Sequence, residues 1–361
     1  MSGVDRADLV IRAPRVLTMS QLGMLEDGCV AVSQGNIEYV GHDPCPSSEE
    51  RLELRHHLLM PGLVDAHAYT YLLAAGRRGS PRPSAEALYW SALFAYTTML
   101  LSGVTAVRDS APEPSILADA ARRSGIRVLA SKLLEPGEGG GWPEATARAS
   151  DGWSGRAAGR LALDVSGVDV PPGPEYVRAV GARLVVGASI PLSMARALRD
   201  LGVGIVVTPS QALEGRWAGG IIRMRSVGVE AALGTGIRSL YSIPNLLEEA
   251  RIALHLDAVG GFEPSPLPIV ESMTSSAGSV LGEPIGRISP GYRADLVALD
   301  LRRPHLRFPP EDPYSAVVFS ATRGDFDYVI VNGEVVVEEG RHRWLYPEGI
   351  ARKLESVIGS G

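Results

Sequence analysis

The chain has 361 residues, 45% of them hydrophobic and 21% charged, a globular composition with ample material for a large core. Its 35 Lys+Arg against 41 Asp+Glu leave a formal charge of −6. No basic surplus exists to meet a phosphate backbone, so nucleic acid is not an expected partner.

At roughly 100–200 residues per domain, the length predicts two domains, or one large domain with a satellite. Only Lys132 and Lys353 are lysines, and Asn and Gln number three each. Scarce thermolabile amides point toward a thermophile, although an arginine-rich, lysine-poor chain also follows from a GC-rich genome.

The opening segment MSGVDRADLVIRAP carries charges where a signal peptide needs an apolar core. Residues 8–60 then read as short strands: Leu9–Ile11, Arg15–Thr18, Cys29–Val32 and, across a Gln34-Gly35-Asn36 turn, Ile37–Val40. Cys29 and Cys45 are too few for a disulfide framework or a cysteine zinc site, which fits a reducing, cytoplasmic compartment. The uncharged stretch Ala87–Val107 is long enough to span a bilayer. It holds Ser91, Thr97, Thr98, Ser102 and Thr105 and breaks at Gly103. The expectation is therefore a buried helix, Glu86–Ser102, feeding a strand, Val104–Arg108, with no membrane partner.

From Leu59 to Leu281 short apolar runs alternate with helical stretches. The predicted strands are Gly62–Ala66, Val104–Val107, Arg127–Ala130, Leu161–Val165, Leu184–Val186, Gly204–Val207 and Ala231–Gly234. Helices are expected at Ser115–Arg123, Pro191–Leu201 and Pro244–Leu256. Such alternation predicts parallel βα units, in a barrel or a doubly wound sheet. Seven strands are one short of an eight-fold barrel. Glu135–Gly159, where the eighth would fall, reads as a loop with one short helix at Glu144–Ala149. A barrel would be incomplete there and its wall more mobile.

Toward the C-terminus strands return. Asp295–Leu299 follows a Pro290-Gly291 turn, and Asp327–Val331 meets Glu334–Val337 across Asn332-Gly333, a strong hairpin signal. The expected organisation is a β domain built from 1–58 plus 285–345, a βα unit over 59–284, and a helix or tail over 346–361.

The chemistry gathers at strand ends. MPGLVDAHAYT (60–70) sets Asp65 and His67 at a strand's C-terminal mouth, where a βα barrel keeps its active site. LLSGVTAVRD (100–109), AALGTG (231–236), GRISPGYRADLVALD (286–300) and FDYVIVNGEVVVEEG (326–340) follow. In this order these pieces resemble the amidohydrolase superfamily, particularly its imidazolonepropionase- and cyclic-deaminase-like branch. The resemblance spans nearly the whole chain. It implies a (β/α)8-type barrel with a small composite β-sandwich, and metal-activated water attacking C–N bonds in small or cyclic substrates.

The departures decide what remains of that chemistry. The resemblance implies a histidine pair on the first metal; here the pair is His67 and Tyr69, and tyrosine is the poorer zinc ligand. The family's strand-end aspartate falls at Gly236. No histidine lies between His67 and His255. A His67/Asp109/Asp164 set would make an atypical site, but zinc needs about three protein ligands, and the expectation is that no metal or other cofactor is held. His56-His57 is discounted, because adjacent strand residues point to opposite faces.

The residues expected to carry any catalysis are Asp65, His67 and Asp109. Tyr69, Lys132, Asp164, Thr235 and Arg238 are the expected ligand-binding set. Each also has a plain structural reading: Asp65 and His67 as hydrogen-bonded strand-end residues, Asp109 as a cap or ion-pair partner, Lys132 as a surface lysine, Arg238 as a partner of Glu248 or Glu249. Two functions follow. One is a divergent C–N hydrolase; the other is a non-catalytic barrel that binds a small molecule or assembles with a partner, whether a second copy or another protein.

Overall fold

The computed structural model describes residues 6–75, 83–132, 162–164, 173–179, 181, 183–187, 190–212, 220–236, 244–307 and 312–359. Sixteen strands run through them: β1 (Ala7–Leu17), β2 (Met24–Ser33), β3 (Asn36–Gly41), β4 (Ser48–Glu53), β5 (His57–Pro61), β6 (Leu63–Ala68), β7 (Val104–Ala111), β8 (Arg127–Lys132), β9 (Ala162–Asp164), β10 (Leu184–Gly187), β11 (Gly204–Val207), β12 (Ala231–Leu233), β13 (Leu296–Asp300), β14 (Phe326–Val331), β15 (Glu334–Glu338) and β16 (Arg341–His342).

Both chain ends enter one nine-stranded sheet, ordered β16-β15-β14-β13-β5-β1-β2-β3, with β4 also on β1. Strand β5 pairs with β13 from Pro61↔Leu296 to His57↔Asp300. The sheet thus extends past residue 58, because Leu59, Met60 and Pro61 use their backbone groups on β13. The β14–β15 hairpin turns at Asn332 and Gly333, whose φ values of +52° and +82° are those the Asn-Gly signal requires. Alternate residues of β13 and β14 serve different layers. Val297, Leu299, Val329 and Val331 join the main core, whereas Leu296, Ala298 and Ile330 pack with Ile11, Val30 and Leu59.

All seven strands read from the middle of the sequence are present, and all their pairings are parallel. They form β6-β7-β8 and β9-β10-β11-β12. A single parallel bridge, Ala68 to Gly236, joins the two sets across β6 and β12. The row is therefore β8-β7-β6-β12-β11-β10-β9. The predicted loop and short helix within Glu135–Gly159, and any strand closing β8 onto β9, lie outside the described residues.

Strand alternation sorts the side chains into two faces. Val64, Ala66, Ala106, Val186, Val206 and Ala232, from five different strands, cluster together on one of them. Leu63, Val107, Val185, Val207 and Leu233 turn the other way, into a core shared with helix residues such as Tyr96, Leu117 and Leu198. The uncharged stretch is the helix Ala85–Leu100, N-capped by Ser84, whose hydroxyl accepts from Ala87 N–H at 3.1 Å. No described helix is long and apolar enough to cross a membrane.

Two ties were not anticipated. Cys29 and Cys45 form a disulfide, with Cα atoms 6.1 Å apart, a single bond where the count of two cysteines announced no disulfide framework. Sixteen residues separate them in sequence, but β2 and the segment before β4 bring them together. Arg127 on β8 meets Asp295, just before β13, through two hydrogen bonds of 2.7 and 2.9 Å, with both side chains buried. That pair pins the parallel row to the nine-stranded sheet.

Candidate functional site

Asp65, fully buried on β6, is held by three donors. The backbone N–H groups of His67 and Thr235 each donate to Oδ1 at 3.1 Å, and the Thr235 hydroxyl donates to Oδ2 at 2.7 Å. Asp65 thereby fastens the end of β6 to the segment leaving β12. Burial pushes its carboxyl up to about 7 against the pull of those hydrogen bonds, and the nearby Asp109 adds to the rise.

His67 follows after a one-residue irregularity between Asp65 and Ala68 in the β6–β7 register. Its Nδ1 lies 2.7 Å from Nη1 of Arg108, both side chains being buried. The Tyr69 ring stands edge-on to the imidazole, centroids 4.5 Å apart. Arg108 is two residues beyond Ala106 on β7, and therefore on the face of the small-residue cluster. His67 and Arg108 thus meet at the C-terminal mouth of the parallel row.

Asp109 belongs to the other face. It accepts from Thr70 N–H at 3.1 Å, from the Thr70 hydroxyl, and from the Tyr96 phenol at 2.7 Å. Tyr96 sits on the helix Ala85–Leu100, so Asp109 points into the strand–helix layer. Burial raises its carboxyl to about 6, and burial beside Asp109 pushes Tyr96 well above the usual phenol value.

The structure accordingly brings Asp65, His67, Tyr69 and Thr235 together and sets Asp109 on the far side of β7. Lys132 ends β8 and Asp164 ends β9; their side chains, and Arg238 altogether, lie outside the described residues.

Arg108, Thr208 and Gln211 were missed. The sequence does carry a signal for Arg108: in Arg108-Asp109, strand alternation must send one side chain to each face. Gln211 carried no such signal. Its carboxamide fills the space a side chain at Gly236 would use.

These residues do not fit a metal centre of the kind the resemblance implies. A metal-bound imidazole passes its remaining N–H to an acceptor. The guanidinium of Arg108 has only donors, so Nδ1 of His67 must accept and the ring proton sits on Nε2. Neither nitrogen then offers a lone pair to a metal. At the two further positions where the resemblance implies ligands stand Tyr69 and Gly236, and Gln211 occupies the space beside Gly236.

A second cluster lies elsewhere: ligand atoms of His57, Asp300 and Asp327 fall within 4.8 Å of one another at the ends of β5, β13 and β14. Arg302 donates to both oxygens of Asp300 at 2.8–3.1 Å, and Arg303 donates to Asp327 at 2.6 Å. The guanidinium groups already match the carboxylate charges, so this is an ion network tying strand ends.

Comparison with known proteins agrees with the fold and the motifs. Residues 181–336 match the model of the amidohydrolase family. A 5-methylthioadenosine/S-adenosylhomocysteine deaminase of Caldanaerobacter subterraneus subsp. tengcongensis is 26% identical over 424 residues, covering 96% of this chain and 97% of that one. A 5'-deoxyadenosine deaminase of Methanosarcina barkeri is 26% identical over 410 residues, covering 92% and 93%. Among solved structures, an adenosine deaminase from Xanthomonas campestris with bound zinc superposes with a TM-score of 0.79 at 19% identity, covering 99% of this chain and all of that one. The PGLVDAH block, the closing ADLVALD segment and this topology agree with that match, so the chain is similar to the amidohydrolase family over residues 181–336 and to its deaminases over nearly its whole length.

Proposed function

We propose that this protein binds a small molecule in the mouth of its parallel strands and that recognition there has replaced metal-activated hydrolysis. The observation that carries the reading is the buried His67–Arg108 contact, which commits the one strand-mouth histidine to a guanidinium. In this reading the row is the wall of a (β/α)8-type barrel of the imidazolonepropionase- and cyclic-deaminase-like branch. Strands β1–β5 and β13–β16 form its composite β domain.

The names of the relatives supply the ligand class. Proteins matched over nearly the whole chain are deaminases of 5'-deoxyadenosine or of 5-methylthioadenosine and S-adenosylhomocysteine, so an amino-substituted purine nucleoside is the first candidate. Tyr69 and Thr235 border the site as aromatic wall and hydrogen-bonded rim. Asp65 acts as a positioning residue, since its two hydrogen bonds from Thr235 fasten β6 to the end of β12.

One observation favours a second reading, metal-independent C–N hydrolysis. The carboxyl of Asp65 titrates at about 7, where a general base is most effective. Against it, no group identified at the mouth supplies the electrophile that a metal would provide.

Calorimetric titration with 5'-deoxyadenosine and 5-methylthioadenosine, run beside an ammonia-release assay, separates these readings. Saturable binding without ammonia supports recognition. Ammonia release that survives chelation supports the second reading, and release abolished by chelation overturns both.

A further inference from the structure

Among the described residues, several buried polar atoms near the mouth have no hydrogen-bond partner: Ser110 Oγ, Thr208 Oγ1 and Gln211 Oε1. Ser110 and Thr208 are almost wholly buried. Burying a hydroxyl or amide oxygen without a partner is costly, and folded proteins rarely leave such groups idle in clusters. Their placement is consistent. Ser110 lies two residues beyond Arg108 on β7, on the face that carries Ala106; Thr208 lies two beyond Val206 on the same face. Gly236 links Thr208 and Gln211 to the His67 strand: it donates its N–H to His67 O at 2.9 Å, while its Cα faces Gln211 and Thr208.

We infer that Ser110, Thr208 and Gln211 form the hydrogen-bonding floor of the ligand site, and that the ligand directs an N–H or O–H donor at Gln211 Oε1. The inference rests on the reading that the mouth binds a small molecule and adds the groups that discriminate among ligands. A hydroxyl can give or accept a proton, whereas a carbonyl oxygen only accepts. A ligand lacking the donor would leave Oε1 buried and unmet, which selects against it.

The experiment pairs stability with binding in Thr208→Val and Gln211→Met, which keep shape and remove the polar atom. An unpartnered group contributes nothing to the free fold, so both variants should melt at or above the wild-type temperature. Both should also bind adenosine at least tenfold more weakly. Wild type should bind adenosine at least tenfold more tightly than purine riboside, which lacks the amino donor, and Gln211→Met should erase that preference. A clear loss of melting temperature in both variants would show that the groups are structural and overturn the inference. Adenosine binding unchanged in both variants would overturn it alone, leaving the mouth as the binding site. Absence of binding to wild type by either nucleoside would overturn the parent reading together with this one.

Discussion

Arg108 presents Nη1 to Nδ1 of His67 at 2.7 Å, inside the strand mouth and away from solvent. A guanidinium cannot accept a hydrogen bond, so the contact fixes which ring nitrogen is bare. Nitrogen-15 NMR of the imidazole should therefore show a neutral His67 with its proton on Nε2. A proton found on Nδ1 would contradict the contact.

Asp65 and Asp109 make stability depend on pH. An ordinary aspartate titrates near 3.8, whereas burial sets these two at about 7 and about 6. Between those limits the folded chain keeps protons that the unfolded chain releases. Their contribution is complete below about pH 4 and is lost as pH rises through 6 to 7. Asp65→Asn, neutral at every pH, should flatten the fall in melting temperature between pH 5 and pH 8. At pH 8 it should exceed wild type by a few kcal/mol, following the size of the shift. An unchanged slope in the variant would remove Asp65 from the account.

The Arg127–Asp295 pair should behave as a buried bridge whose halves cannot be spared singly. Arg127→Leu leaves Asp295 buried with only its backbone donor from Asn332, at 2.8 Å, and should cost about 3–5 kcal/mol in urea unfolding. Arg127→Leu with Asp295→Leu should recover part of that loss. Equal destabilisation by the single and double variants would show that the cost comes from packing.

Gly236→Asp, which places the aspartate that the resemblance implies, should not be accommodated without cost. It sets a Cβ against Gln211 at a positive φ, and should cost about 1–3 kcal/mol. Adding Gln211→Ala should return part of the stability by opening the space. A stable single variant would mean that Gln211 moves freely and does not fill the position.

Much of this was legible in the sequence. The seven central strands and the Asn332-Gly333 hairpin announce themselves through apolar runs and turn chemistry, which are local signals. Tyr69 and Gly236, where the resemblance implies a histidine and an aspartate, also stand plainly in the sequence. What stayed hidden was relational. Asp109 looked like a mouth residue because it ends a strand motif, but its phenol partner Tyr96 lies thirteen residues back on a helix, a contact that only packing creates. The Cys29–Cys45 bond depends on a strand and a loop converging. Gln211 matters solely because its carboxamide reaches the Cα of a glycine twenty-five positions later.

The central claim is that the strand mouth has exchanged a metal for the His67–Arg108 pair, and zinc loading tests it most directly. Protein stripped with chelator, incubated with equimolar zinc and desalted should carry no stoichiometric metal by elemental analysis, and His67→Ala should not change the result. About one zinc per chain, lost in His67→Ala, would contradict the account.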